Sequence, residues 1–394
     1  MFLKRGFVLN SKKTFVKGLI CGVIIAFAVN VILSMTGKGI LTGKEYLKLN
    51  RIDRIISSEY VDEIDKEKVA DGIYRGFVAG VDDKYTSYMS KEEMDALMET
   101  TGGFFYGIGV VVAQDESGKT IVISVIEGSP AAEAGINVGD ILLEANGESV
   151  EGRDISDIVS VIRGEAGTEV ELTLERNTDR EQYTCVLKRA QIDVTSVYGK
   201  MLDNNIGYLK ITQFSETTYN QFENELEKLR NEDMKALIID LRNNLGGRFD
   251  TVQKITDELV PEGVIVYTVD KNGKEEYAYA DEKYLDIPMC ILVNEYTASA
   301  SEVLSGAVQD RGTGVLVGTK TFGKGLVQGI YSLPDGSGLK VTVQKYYTPN
   351  GVCINGEGLT PDYVVELPEE YKGYSAAPEK DDTQLQKAVE ILSQ

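Results

Sequence analysis

Ser299 lies in Tyr296-Thr297-Ala298-Ser299-Ala300-Ser301-Glu302, and Lys324 lies in Thr321-Phe322-Gly323-Lys324-Gly325-Leu326-Val327-Gln328. The chain contains no histidine. A serine hydroxyl is a weak nucleophile until a neighbouring base takes its proton. Without imidazole, neither a Ser-His-Asp triad nor a His-ligated metal site can be built. A lysine whose charge is disfavoured by apolar surroundings is the obvious substitute base, and Phe322, Leu326 and Val327 could supply such surroundings. The pair points to acyl transfer through a serine nucleophile, with no metal and no organic cofactor. Ser299 follows the apolar strand Met289–Val293 and opens a helix to Asp310. The positive end of that helix and its free N–H groups can stabilise an oxyanion. Ala300 N–H is a natural donor. The Gly246-Gly247 turn could bring a second, because glycine lets backbone approach a substrate closely.

These segments, together with Asp240-Leu241-Arg242-Asn243-Asn244-Leu245-Gly246-Gly247 upstream, resemble the carboxy-terminal processing peptidases, or tail-specific proteases. The resemblance runs from about residue 45 to the C-terminus. It implies a Ser/Lys dyad, a PDZ domain, and dimerisation through the N-terminal helical region. It makes Ser299 the nucleophile, rather than Ser301, and Lys324 the base. Gln328 maps to the residue that orients the base. The family usually has proline where Leu245 stands.

Each segment also has a plainer reading. Ser299-x-x-Glu302 is a capping box. Gly318-x-x-x-x-Gly323-Lys324 approaches a phosphate-binding loop, but Gly325 stands where serine or threonine would hold magnesium, and a strand-like segment follows instead of a helix. Ser337-x-x-Lys340 matches Ser-x-x-Lys by count only, since it enters a strand after a Pro334-Asp335-Gly336 turn. A direct Gln328–Lys324 contact needs a bend, because four extended residues span ~13 Å.

The elements that must position these groups follow from periodicity. Ile206–Ile211, Ala236–Leu241 and Met289–Val293 read as strands that alternate with helices at Glu216–Arg230, Arg248–Val260 and Ser299–Asp310. This β-α-β order predicts an α/β core with catalytic loops at strand ends. The resemblance implies the spiral αβ fold of the Clp protease and crotonases. Residues 101–190 read as an inserted PDZ domain. Tyr106-Gly107-Ile108-Gly109-Val110 is a loop entering a strand. Ser129-Pro130 starts a short helix, Asn146-Gly147 makes a hairpin turn, and Asp154–Arg163 is an amphipathic helix. A peptide C-terminus would add as a strand there along Gly107, Ile108, Gly109 and Val110, its carboxylate held by the N–H groups of Gly107, Ile108 and Gly109. Arg163, at the end of the groove helix, is a candidate contact between the PDZ domain and the core. Residues 38–100 form an N-terminal helical segment, with Tyr46, Leu49, Ile52, Ile55 and Ile56 on one face. Residues 191–360 form the protease core, and 361–394 a charged tail with a final helix.

Gly18–Met35 is nearly all apolar, and at ~1.5 Å per residue a helix there reaches about 27 Å. Lys4, Arg5, Lys12, Lys13 and Lys17 precede it. The positive-inside rule makes residues 1–37 a cytoplasmic basic tail and membrane anchor, with the catalytic part outside. A cleaved signal peptide ending near Ala26-Phe27-Ala28 is the alternative. The net charge of −21, from 41 basic and 62 acidic residues, argues against a nucleic-acid partner. Four cysteines in 394 residues do not make a disulfide framework. The partners expected are proteins or peptides with accessible C-termini, a second copy of the chain, and the membrane.

Overall fold

The computed structural model describes residues 40–115, 117–371 and 377–394. The segment 18–35 lies outside them. Among the described residues no helix is long and apolar enough to cross a membrane. The chain divides into two compact units, Met1–Tyr74 and Arg75–Gln394.

In the first unit, helix α1 (Gly43–Glu59) starts at a Thr42/Glu45 capping box and buries none of its residues. Tyr46, Leu49, Ile52, Ile55 and Ile56 stay exposed along it. Helix α2 (Lys66–Ala79) follows. The region up to residue 100 is not helical throughout. A short strand β1 (Ser87–Met89) precedes α3 (Lys91–Gly102), whose own Ser90/Glu93 capping box fixes its start.

Strands β2 (Phe104–Gly107) and β9 (Ala190–Asp193) pair antiparallel, so the segment between them leaves and returns at one place. That segment holds β3 (Val110–Gln114), β4 (Thr120–Val125), α4 (Pro130–Glu133) and β5 (Ile141–Ala145). It continues with β6 (Glu148–Ser149), α5 (Ile155–Ile162), β7 (Glu169–Glu175) and β8 (Gln182–Lys188). Its strands form one sheet in the order β3-β4-β5-β7-β8 with β6 on β5. Ile108, Val122, Leu142, Ile158, Val170, Leu172 and Leu174 make its core.

The core sheet runs β10 (Val197–Leu202), β11 (Ile206–Ile211), β12 (Ala236–Asp240), β15 (Met289–Val293), β16 (Val315–Gly318), β19 (Tyr363–Val364). All its pairings from β11 to β19 are parallel. Every residue of β12 and β15 is buried, as expected of a parallel sheet covered on both faces. One face packs on α6 (Thr218–Asn231), α7 (Phe249–Asp257) and α8 (Ala300–Arg311) through Phe222, Leu226, Val252, Ile255, Leu304 and Val308. The other is covered by α9 (Thr383–Leu392) through Leu385 and Ala388. A second, antiparallel sheet contains β13 (Gly263–Asp270), β14 (Glu275–Ala280), β17 (Leu326–Ser332) and β18 (Gly338–Tyr347), with β1 on the edge of β18.

Candidate active site

Strand β12 ends in the loop that carries Gly246 and Gly247, and β15 ends just before Ser299. The two strands are parallel neighbours, so both loops emerge at the same sheet end. Ser299 is the N-cap of α8 with φ 57° and ψ −116°, a region that a residue with a Cβ rarely adopts. Holding it there costs about 1–3 kcal/mol, which the surroundings must offset. They do so through Glu302. Ser299 N–H donates to Glu302 Oε2 at 2.9 Å, within the predicted capping box. Lys324 N–H donates to the same oxygen at 2.8 Å. Thr321 Oγ1 and Gly323 N–H donate to Oε1 at 2.6 and 2.7 Å. Glu302 is fully buried, and burial pushes its carboxyl up while these four bonds act against that. A carboxylate has about four acceptor sites, all taken here by donors, so a carboxylic proton would displace one of them.

The Tyr346 hydroxyl is a second clasp. It lies 2.8 Å from the Ser299 carbonyl oxygen and 2.5 Å from that of Lys324, and donates its one proton to either. Burial pushes its own pKa well up, so the proton stays in place. The Lys324 amine is pulled below the ordinary lysine value, first by burial and then by the Lys340 ammonium, with Glu302 opposing. Its side chain forms no ion pair among the described residues.

The two glycines divide their work. Gly246 has φ 103°, and a Cβ there would press on Ala298 O at 2.8 Å and Ala300 N at 2.9 Å. Its N–H is already committed to Asn244 Oδ1 at 2.8 Å. Gly247 has φ 142°, and a Cβ there would meet Phe214 O at 2.2 Å. Among the described residues, neither Gly247 N–H nor Ala300 N–H has a hydrogen-bond partner. Of the three predicted donors, these two are therefore available to an oxyanion. Ser301 is fully buried, and its hydroxyl donates to Asn244 O at 2.9 Å, which fixes the glycine loop from below. Leu245 is 69% exposed and its N–H makes no hydrogen bond among the described residues, so a proline at this position would forfeit none of those bonds.

No hydrogen bond joins Gln328 to Lys324. Gln328 stands at a register shift between β17 and β18, and its Nε2 is buried without a partner. Sequence reasoning did not find Tyr346, and it saw Glu302 only as a capping residue. The bonds of Glu302 to Thr321, Gly323 and Lys324 cross two loops and leave no local signal.

On the PDZ-like segment, a groove of about 220 Å³ runs between β3 and α5. Ile108, Gly109 and Val110 line one side, Val159 and Ile162 the other, with Gly107, Phe105 and Arg163 at one end. Ile108 N–H and Gly109 N–H have no hydrogen-bond partner among the described residues. The Arg163 guanidinium sits 4.9 Å from the centre of the Phe105 ring, and its Nη1 is 3.9 Å from Glu99 Oε2.

A parallel α/β core with an inserted peptide-groove domain and a serine at a strained helix start defines a serine peptidase with a PDZ domain. Comparisons with known proteins agree. The model for peptidase family S41 matches residues 205–365, and one for the PDZ domain matches 121–176. The model described as the activating protease CtpB N-terminal domain matches 32–93. The chain is 37% identical over 328 residues to the carboxy-terminal processing protease CtpA of Bacillus subtilis, covering 82% of this chain and 69% of that protein. Against CtpB of the same organism it is 33% identical over 336 residues, covering 84% and 69%. A solved S41-family structure from Bacteroides fragilis shares the fold at a TM-score of 0.51 and 17% identity, over 87% of this chain and 97% of that one. The chain belongs to peptidase family S41, as a carboxy-terminal processing serine protease.

Proposed function

We propose that the chain is a membrane-anchored endopeptidase that selects proteins by their C-termini and cleaves them through Ser299 and Lys324. The carrying observation is the shared carboxylate. Glu302 Oε2 draws the Ser299 and Lys324 backbones to one point, in a chain with no histidine. Ser299 Oγ attacks the scissile carbonyl carbon while the neutral Lys324 amine takes the hydroxyl proton. Ala300 N–H and Gly247 N–H receive the oxyanion. Collapse breaks the C–N bond, the Lys324 ammonium protonates the leaving amine, and Ser299 is left as an acyl ester. Lys324 then deprotonates a water that attacks the ester, and the proton returns to Ser299 Oγ on release. Gln328 orients the Lys324 amine during turnover, and its buried, unpartnered Nε2 supports such a role.

A substrate C-terminus adds as a strand along β3, with its carboxylate on Ile108 and Gly109 N–H. The exposed apolar face of α1 supports a homodimer, and the basic-then-apolar N-terminus supports an anchor that leaves the protease on the extracytoplasmic side. The test is cleavage of a protein with an apolar C-terminal tag. Ser299→Ala and Lys324→Ala should each leave less than about one per cent of the activity while tag binding persists. Residual cleavage above that in either variant would sink the dyad. Ser301→Ala should keep its nucleophile and lose no more than about tenfold, through the loosened Asn244 carbonyl. Protection of the catalytic part from protease added outside intact cells would overturn the assigned side of the membrane.

A further inference from the structure

The Lys324 amine has a neighbour that its motif does not suggest. Its Nζ lies 4.9 Å from the centre of the Tyr85 ring. Tyr85 belongs to Asp83–Thr86, just before β1, and that segment is fastened to β18. Thr86 Oγ1 and Thr342 Oγ1 donate to Asp83 Oδ2 at 2.5 and 2.6 Å, and Thr342 N–H donates to Thr86 Oγ1 at 3.1 Å. Those hydroxyls hold the Asp83 carboxyl below its ordinary range. Strand β1 continues the attachment, with Ser87 opposite Lys340. Thr342 in turn pairs with Gln328 of β17. The ring is therefore placed by the same strand that supports the base.

The chemistry of the contact suits a base that must be neutral to work. A carboxylate at this distance would hold the lysine protonated. An aromatic face attracts an ammonium by only ~0.5–2 kcal/mol. It can fix the amine in place and exclude water from one side without locking the proton on. The charged groups that act on Lys324 are Lys340 on β18 and Glu302 on α8, and Lys84 stands near the same ring, its Nζ 5.6 Å from both the Tyr85 and the Phe322 ring centres. The Tyr346 hydroxyl binds the Lys324 carbonyl and not its amine.

We propose that Tyr85 is a positioning residue for catalysis: its ring face holds the Lys324 amine towards Ser299 and shields it from water, so that the segment before β1 completes the active site. This rests on the reading of Lys324 as the base. The full-length protein is assayed with a short reporter peptide, and kcat and KM are measured across pH for wild type, Tyr85→Phe, Tyr85→Leu, Thr342→Val and Lys324→Ala. Tyr85→Leu should lower kcat at neutral pH by about tenfold with KM little changed. Burial is the first cause of the lowered Lys324 value, so admitting water should outweigh the lost ring attraction and move the rising pH limb to higher pH, and the deficit shrinks in alkali. Tyr85→Phe keeps the ring and should recover kcat to within about threefold of wild type, with the limb in place. Thr342→Val leaves the ring but frees its segment, and should reproduce part of the limb shift. An unmoved limb in Tyr85→Leu and Thr342→Val, or equal losses in Tyr85→Phe and Tyr85→Leu at every pH, would overturn the proposal. If Tyr85→Leu does not fold, the limb of Thr342→Val decides alone. An active Lys324→Ala would instead remove the base reading itself, whereas an inactive Lys324→Ala beside an unmoved Tyr85→Leu limb removes only Tyr85.

Discussion

Ser299 and Lys324 are joined through one atom: the backbone N–H of each donates to Glu302 Oε2, at 2.9 and 2.8 Å. The proposed nucleophile and base are thus set relative to each other by backbone, before either side chain chooses a rotamer. Glu302→Gln tests this. The variant is nearly isosteric, but its NH₂ would face N–H donors and can accept from none of them. We expect kcat to fall by about a hundredfold and stability by about 1–3 kcal/mol, with Ser299 chemically intact. Wild-type kcat in Glu302→Gln would show that the shared oxygen does not align the pair.

In the proposed mechanism activity should rise with pH through the neutral and alkaline range, because only the neutral Lys324 amine can accept the Ser299 proton. Burial and the Lys340 ammonium both lower the Lys324 pKa, so the limb should lie below that of an ordinary lysine. Lys340→Met removes one of those causes. Its limb should move to higher pH and its neutral-pH rate should drop, while the alkaline plateau is kept. Stability follows the same sign. Between the lowered folded value and the unfolded value of about 10.5, the unfolded chain binds more protons, so stability gains as pH rises through that window. A Lys340→Met profile superimposable on wild type would contradict the assigned cause.

What the sequence reveals of this site, and what it hides, follows from the range of each interaction. Ser299, Ala300 and Glu302 announce themselves because a capping box is local. The strands β12 and β15 are legible as unbroken apolar runs. Strand β1 is not, since Ser87–Met89 is too short for a period to show. The choice between Gly246 and Gly247 depends on one bond from Gly246 N–H to Asn244 Oδ1, which two adjacent glycines cannot disclose. Tyr85 and Tyr346 reach the site only through tertiary pairing with, or within, β18.

The C-terminal helix provides a further long-range case. Its apolar residues were readable, but not the ion pairs at its start. Arg242 Nη2 lies 2.6 Å from Asp240 Oδ2 and its Nη1 lies 2.9 Å from Asp382 Oδ2, all three residues being nearly inaccessible. Burial disfavours the Asp240 charge, yet Arg242 and the bonds around it hold the carboxyl below its ordinary range. Its contribution is full above the ordinary aspartate range and fades as pH falls below it. Arg242→Met leaves two buried carboxylates facing each other and should cost about 3–5 kcal/mol. Asp382→Asn keeps the Asp240 pair and should cost less, about 1–3 kcal/mol. Chemical denaturation of both variants gives the order, and equal losses would mean that the Asp240–Arg242 pair adds no stability beyond the Asp382 contact.

The last prediction concerns how the peptide groove and the cleavage site communicate. Arg163 ends the groove helix α5, stacks on Phe105 of β2 and approaches Glu99 of α3. Strand β2 pairs with β9, which leads directly into the core sheet at β10. A peptide that displaces or tightens Arg163 would therefore act on the strand pair that joins the groove to the protease. Two outcomes separate cleanly. If the groove only tethers substrate, it raises local concentration and nothing more. If it shifts the core between inactive and active arrangements, an unlinked peptide also counts as an activator. A short reporter without a groove-binding terminus is mixed with a separate C-terminal peptide. We expect stimulation of about five- to tenfold, a coupling at the lower end of the usual range. Arg163→Ala should bind the activator peptide but lose most of that gain, with unstimulated cleavage read in parallel. Unchanged reporter cleavage at saturating activator would leave tethering as the groove's whole role. Full stimulation in Arg163→Ala would place the coupling elsewhere along β2 and β9.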